Sequence, residues 1–242
     1  MGKSANLNKN DILIVPDIHG RKFWEAALEY PGEVIFLGDY TDPYPQEGFS
    51  QEDAYKGLLK IIDFKQQNLD RVTLLIGNHE LHYFDKHFRA SRFSSQYYEK
   101  YHSILTEELT KGLFQVCKQV DNYLFIHAGI TKGWYDQYQS ILQSLGNDLE
   151  TRLNRLFIEN KEAFFEVSHY RGGFHPYGSP LWTDINELYY EKEPFDREII
   201  QIIGHTHIID DNPLIEKNFV LVDNIQLYLL KNGKIEKTNR EK

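Results

Sequence analysis

The sequence predicts an α/β fold with mixed β-sheets. Three patterns carry that expectation. Short apolar runs alternate with helical stretches, most of the runs stop at a cluster of Asp, Asn or His, and two stretches carry the tight turns of antiparallel pairs.

Taken in order, "DILIVPDIHG" (11–20) reads as a strand and then a loop, and "EVIFLGDYTD" (33–42) repeats that design. "SQEDAYKGLLKIIDFKQQN" (50–68) reads as a helix with Ser50 as N-cap and Leu58, Leu59, Ile61 and Ile62 as a buried stripe. "VTLLIGNHE" (72–80) is a third strand with a polar end. Residues 83–110 are aromatic and helical in pattern. "LFQVCKQVDNYLFIHAG" (113–129) reads as a hairpin turning at Asp121-Asn122. Residues 131–195 hold a helix and then the loop "YRGGFHPYGSPLWTD" (170–184). "IIQIIGHTH" (199–207) is again strand then loop. "NFVLVDNIQLYLLKNGKIEK" (218–237) reads as a hairpin with turns at Asp223-Asn224 and Asn232-Gly233. No repeat, linker or low-complexity tract divides the chain. Residues 1–242 therefore read as a single domain with insertions near 83–110 and 131–195.

A length of 242 residues is ample for a sizeable core. The single cysteine, Cys117, excludes an internal disulfide and favours a reducing compartment. It lies in a predicted strand and reads as a buried structural thiol. The N-terminus has no signal-peptide pattern, and "MGKSAN" departs from an acylation start at Asn6. No stretch approaches the roughly 18 apolar residues of a membrane helix. A cytoplasmic protein with no membrane partner is expected, and the sequence leaves a protein partner open. The net charge of −9 disfavours nucleic acid. An acidic chain can still take an anionic substrate where bound cations reverse the local field.

The strand ends gather Asp17 and His19, Asp39 and Asp42, Asn78 and His79, His127, and His205 and His207. In α/β folds such loops meet at one site. Mixed carboxylate, imidazole and amide donors suit manganese, iron or zinc rather than calcium or magnesium. They are too many for one ion and would serve two ions that share a carboxylate. A pair of ions clamps the attacking and leaving oxygens of a phosphoryl displacement.

"DIHG", "GDYTD", "GNHE", "HAGI" and "GHTH", in this order, resemble the successive motifs of the calcineurin-like metallophosphoesterases. "GNHE", "HAGI" and "LWTD" are most similar to the phosphoprotein phosphatase branch and the related diadenosine tetraphosphate hydrolases. The resemblance implies a four-layer sandwich of two mixed sheets flanked by helices. It implies two divalent transition-metal ions, manganese foremost. Asp17, His19 and His207 would bind the first ion, and Asn78, His127 and His205 the second, with Asp39 bridging. His79, oriented by Asp42, would protonate the leaving group after attack by a metal-bridging hydroxide. Glu80 is expected behind the site or at a helix N-terminus.

The chain departs from the phosphoprotein phosphatase branch in two motifs, and one is the second histidine of "GHTH", which is more typical of broader metallophosphoesterases. The phosphoprotein phosphatases follow the second Asp with Arg-Gly, whereas Asp42 is followed by Pro43, Tyr44 and Pro45. Arg171, in a glycine-rich loop, is the candidate to bind substrate phosphate in its place. Tyr44 or a residue of 83–101 comes next. That aromatic segment either caps the site or forms an amphipathic surface helix with aromatic core contacts. The expected activity is hydrolysis of phosphomonoesters, on a phosphoprotein or a small metabolite. The alternatives are a dinucleoside polyphosphate hydrolase or phosphodiesterase, and a non-catalytic scaffold. A scaffold would be expected to lose ligands, and this chain keeps them all.

Overall fold

The computed structural model describes residues 11–238. Residues 1–10, on which the leader and acylation readings fall, lie outside them. Along the chain the strands are β1 (Ile12–Val15), β2 (Glu33–Phe36), β3 (Val72–Leu75), β4 (Phe114–Gln115), β5 (Cys117–Val120) and β6 (Tyr123–Ile126). They continue with β7 (Ile200–Ile203), β8 (Leu214–Ile215), β9 (Phe219–Leu221), β10 (Tyr228–Lys231) and β11 (Lys234–Lys237). The α-helices are α1 (Gln51–Gln66), α2 (Asn78–Phe84), α3 (Tyr98–Thr110), α4 (Lys132–Ser144), α5 (Leu149–Glu159) and α6 (Ile185–Tyr189).

The strands form two mixed sheets, ordered β11-β10-β1-β2-β3-β4 and β5-β6-β7-β9-β8. In the first, β1 to β4 run parallel and β10 joins β1 antiparallel. In the second, β6, β7 and β9 run parallel between antiparallel β5 and β8.

Side-chain alternation builds two cores from the same strands. Ile12, Ile14, Ile35, Leu37 and Leu75 of the first sheet meet Phe125, Ile202, Val220 and Val222 of the second. The intervening residues Leu13, Val15, Val34, Phe36, Leu74, Leu124 and Ile126 join the helices in the other core. The result is helix, sheet, sheet, helix. The parallel strands β1, β2, β3, β6 and β7 end beside one another, which brings their polar loops together.

Most expected elements form where the sequence placed them. The β5–β6 hairpin pairs Val120 with Tyr123 across Asp121-Asn122, and the β10–β11 hairpin pairs Lys231 with Lys234 across Asn232-Gly233. Cys117 is buried in β5. Four expectations are corrected. Asp223-Asn224 is not a hairpin turn, because β9 pairs with β7 and β8 while β10 pairs with β1. Both strands are apolar on both faces, and each finds two covered faces only in a different sheet. In α1, capped by Ser50 with Asp53, the buried face holds Ala54, Leu58, Ile61, Ile62 and Phe64, while Leu59 is 38% exposed. A 100° step per residue carries Leu59 off that face. Residues 85–97 are not helical and separate α2 from α3, and residues 131–195 hold α4, α5 and α6 rather than one helix.

Phe125→Ala opens a void between the sheets and should cost about 3–5 kcal/mol. Leu59→Ala should change stability by no more than about 0.5 kcal/mol. Denaturant unfolding of both variants checks the assignment of inner and outer faces.

Candidate metal centre

The loops after five strands supply the site, and two glycines let them close. A side chain at Gly77 would meet Asp39 Oδ1 at 2.2 Å, and one at Gly204 would meet Asp17 Oδ1 at 2.3 Å. Each glycine therefore gives room to a site carboxylate. Glu80, fully buried in α2, locks two of the loops. Its oxygens accept from the N–H groups of Gly77 (2.8 Å), Asp39 (2.9 Å), Tyr40 (2.9 Å) and Thr41 (3.3 Å), and from the Thr41 hydroxyl (3.1 Å). Every neighbour on this carboxylate is a donor, and these bonds oppose the rise to about 7 that burial and the nearby Asp39 charge impose on it.

The histidines are prepared as ligands by what holds their outer nitrogens. His19 Nδ1 donates to Thr41 O at 3.0 Å and His127 Nδ1 to Leu37 O at 2.8 Å. With Nδ1 committed to a carbonyl in both rings, Nε2 is the atom that points inward. His19 Nε2 lies 3.3 Å from Asp39 Oδ2, and His127 Nε2 lies 3.6 Å from Asp39 Oδ1. The two oxygens of Asp39 thus face different histidines. Asn78 Oδ1 lies 2.9 Å from both His127 Nε2 and His205 Nδ1, which are 3.1 Å apart. Lone pairs of nitrogen and oxygen converge here, and His205 Nε2 is buried without a hydrogen-bond partner among the described residues. Such a set of acceptors fits a cation. Donor atoms of Asp39, His127 and His205 form one group, and those of His19, Asp39 and His79 form another.

The electrostatics agree. Asp17 is buried, accepts from His205 N at 3.1 Å, and lies 3.9 Å from His127 Nδ1. Burial and neighbouring Asp39 push its carboxyl up to about 7. Burial and Asp17 do the same to Asp223, which sequence reasoning treated only as a turn. Crowded buried carboxyls favour a bound cation. Burial raises Asp39 too, but its interactions with His127, His79 and His19 outweigh that and hold it well below the ordinary range. His207 is exposed and joins neither donor group.

Asp42 is the other hub, and it is not a simple turn residue. Fully buried, it receives His79 Nδ1 at 2.9 Å and the Tyr83 hydroxyl at 2.5 Å, and His82 Nε2 lies 2.6 Å from its Oδ2. Ala90 N donates to His82 Nδ1 at 3.3 Å, which leaves the ring proton on the nitrogen facing Asp42. Burial pushes Asp42 up, but the bonds from His79 and His82 outweigh it and keep the group ionised. Burial in turn holds His79 below the ordinary range. Its neutral ring keeps the proton at Nδ1 and turns Nε2 toward the site. His82 sits three residues after His79 in α2, a spacing that places both on one face. That spacing is the signal that could have found it.

The two arginines differ. Arg171, the sequence candidate for phosphate, reaches the Thr206 hydroxyl with Nη2, and its Nε lies 2.7 Å from Asp184 Oδ2. It stands beside His205, and burial and the Arg171 charge push that imidazole well down. Arg92, not singled out by the sequence, reaches the opposite side. Its Nη2 lies 3.1 Å from His79 Nε2 and 3.3 Å from His19 Nε2, and its guanidinium lies 3.7 Å from the centre of the Tyr44 ring.

The sandwich and its strand-end donors are those of a metallophosphoesterase. A family model described as calcineurin-like phosphoesterase matches residues 11–209, and the chain belongs to that family. Over 183 residues it is 27% identical to the serine/threonine-protein phosphatase 4 catalytic subunit of Candida glabrata, covering 73% of this chain and 50% of that one. The chain thus spans about half the length of that curated relative. Its fold is similar to a cold-active protein-tyrosine phosphatase of a Shewanella species, with TM-score 0.60, 18% identity and coverage of 94% of this chain and 77% of that one. It is also similar to a protein serine/threonine phosphatase of Saccharomyces cerevisiae, with TM-score 0.55, 12% identity and coverage of 97% and 81%. Among the described residues no helix is long and apolar enough to cross a membrane.

Glu80→Gln replaces one acceptor oxygen by an amide that faces N–H donors. It should cost about 1–3 kcal/mol and lower metal uptake. Unfolding and elemental analysis on the same preparation check both.

Proposed function

We propose that this chain is a hydrolase that cleaves phosphomonoesters, on a phosphoprotein or a small phosphorylated metabolite, with two divalent transition-metal ions. Manganese is the first choice. The observation that carries the reading is Asp39, whose two oxygens face separate groups of donors beside the His79–Asp42 pair. Asp17, His19 and Asp39 are assigned to one ion, with exposed His207 as an outer member. Asp39, Asn78, His127 and His205 are assigned to the other. The residues suit these ions, because carboxylate and amide oxygens mixed with imidazole nitrogens and no thiolate match manganese, iron or zinc.

When bound, the ions supply Lewis acidity and make water acidic enough to attack at neutral pH. The chain supplies the rest. Asp42, kept ionised by its donors, holds His79 in one tautomer and stabilises its protonated form. Nε2 of His79 is then the atom that first takes up a proton, forming the imidazolium that Asp42 stabilises, and gives it to the leaving oxygen, which is worth about 10²–10⁴-fold in rate. A protein substrate is supported by the Candida glabrata relative, named as a protein phosphatase subunit, but the alignment spans only half of that protein.

With manganese present, the protein should hydrolyse p-nitrophenyl phosphate in preference to bis(p-nitrophenyl) phosphate. The reverse preference would favour the phosphodiesterase reading. Metal analysis should find two ions per chain, both reduced in Asp39→Asn. A single ion with Asp39 remote from it would refute the shared carboxylate.

His79→Ala should lower kcat on phenyl phosphate by about 10²–10⁴-fold while metal content stays near normal. The loss should be smaller on p-nitrophenyl phosphate, whose leaving group needs less protonation. Equal loss of metal and activity would make His79 a ligand instead.

A further inference from the structure

Pro43, after Asp42, has no N–H to offer an anion, and the side of the site beside His79 is served from elsewhere. Arg92 arrives on residues 85–97, and that segment is fastened at three points, to His82, to Tyr83 and to Asp42. Ala90 N donates to His82 Nδ1 at 3.3 Å, Ser94 N donates to the Tyr83 hydroxyl at 3.2 Å, and Arg92 Nε donates to the Asp42 carbonyl at 2.9 Å. His82 and Tyr83 both reach the Asp42 carboxylate as well. Tyr44 lies against one face of the guanidinium. Arg92 has a backbone φ of 62°, a left-handed conformation that a non-glycine residue adopts only when its surroundings require it.

With Nε committed to the Asp42 carbonyl, the outer edge of the fork faces the site, next to Nε2 of His79 and of His19. Arg21 and Arg171 have carboxylate partners in Glu47 and Asp184. Among the described residues no carboxylate pairs with Arg92. A guanidinium keeps its proton at any working pH. A fixed cation aimed at a set of metal-ligating atoms is compatible with bound metal when an anion stands between them.

We propose that Arg92 holds a terminal oxygen of the substrate phosphate and thereby selects phosphomonoesters over phosphodiesters; this rests on the phosphoesterase reading above. A monoester carries three non-bridging oxygens and a diester two. A donor fork beyond the metals therefore serves the oxygen that a diester lacks. Arg92 reaches that oxygen from the side of His79, where the ester oxygen departs.

The test compares wild type, Arg92→Ala and Arg92→Lys, all loaded with manganese. For Arg92→Ala, orthophosphate affinity by calorimetry and KM for p-nitrophenyl phosphate should each worsen by about 10–100-fold, the range for a lost charged hydrogen bond. Activity on bis(p-nitrophenyl) phosphate should fall far less than activity on the monoester, and metal content should stay near wild type. Arg92→Lys should recover only part of the affinity, because lysine offers a point charge and lacks the Nε bond. Millimolar guanidinium ion should restore phosphate binding to Arg92→Ala and not to wild type, which a merely structural arginine would not permit. Unchanged phosphate affinity, equal losses on both esters, or loss of metal would each overturn the proposal. If wild type hydrolyses neither ester, the phosphoesterase reading fails, and calorimetry alone then decides whether Arg92 binds the anion.

Discussion

Glu80 binds no substrate and is assigned to no metal, yet its carboxylate fixes the relation between the loops after β2 and β3. It takes the N–H groups of Gly77, Asp39, Tyr40 and Thr41 on two oxygens. Those bonds hold Asp39 at a φ of 54°, a left-handed conformation that costs a non-glycine residue about 1–3 kcal/mol. They also press the Asp39 carboxylate onto Gly77, where no side chain could stand. Charge-assisted bonds of this kind are each worth about 1.5–3 kcal/mol, enough to offset that strain.

The loop from Leu37 to Asp42 is then a platform on which the other groups are set. Leu37 O fixes the tautomer of His127, Thr41 O fixes that of His19, and the Asp42 carboxylate fixes that of His79. Acceptors on the outside of each ring leave lone pairs inside. Two of those lone pairs meet Asp39 from opposite sides, and the third faces Arg92. His19, Asp42, His205 and Arg92 share the positive φ of Asp39. Backbone strain is thus concentrated where side chains must be aimed, and the surrounding bonds over-determine each one.

Much of this was legible because it follows from short-range pattern. An apolar run of strand length that ends in Asp, Asn or His announces both a buried strand and an exposed functional loop. Five such ends point to Asp17, His19, Asp39, Asp42, Asn78, His79, His127, His205 and His207, and the structure gathers all of them but the exposed His207 around one place. What failed was long-range. "NFVLVDNIQLYLL" has turn residues between apolar runs whether its strands pair with each other or part to two sheets, since the choice lies in which faces are covered. Leu59 looks like its neighbours until the 100° step is followed around α1. His82, Tyr83 and Arg92 act only through Asp42, tens of residues earlier, and the one local hint was the spacing of His79 and His82. The aromatic segment reads either as a cap on the site or as an amphipathic surface helix with aromatic core contacts, and its residues 85–97 are not helical. Tyr83 stacks on Phe93 at 5.6 Å and packs on Tyr101 at 4.6 Å, while Arg92 between them turns into the site.

Delivering an arginine from a distant segment has a physical consequence. Ordering a backbone residue costs about 1–2 kcal/mol, whereas an aromatic pair adds only about 0.5–1.5 kcal/mol beyond its buried area. Stacking alone cannot hold residues 85–97 in place. The balance comes from full burial of Tyr83 and His82 and from their bonds to Asp42. The group that supports the proton on His79 is therefore the same group that anchors the arm carrying Arg92. An arginine placed directly after Asp42 would be aimed by its own backbone and would need no such anchor. Here proton delivery and anion binding share one carboxylate, so any change that reorients Asp42 must disturb both together.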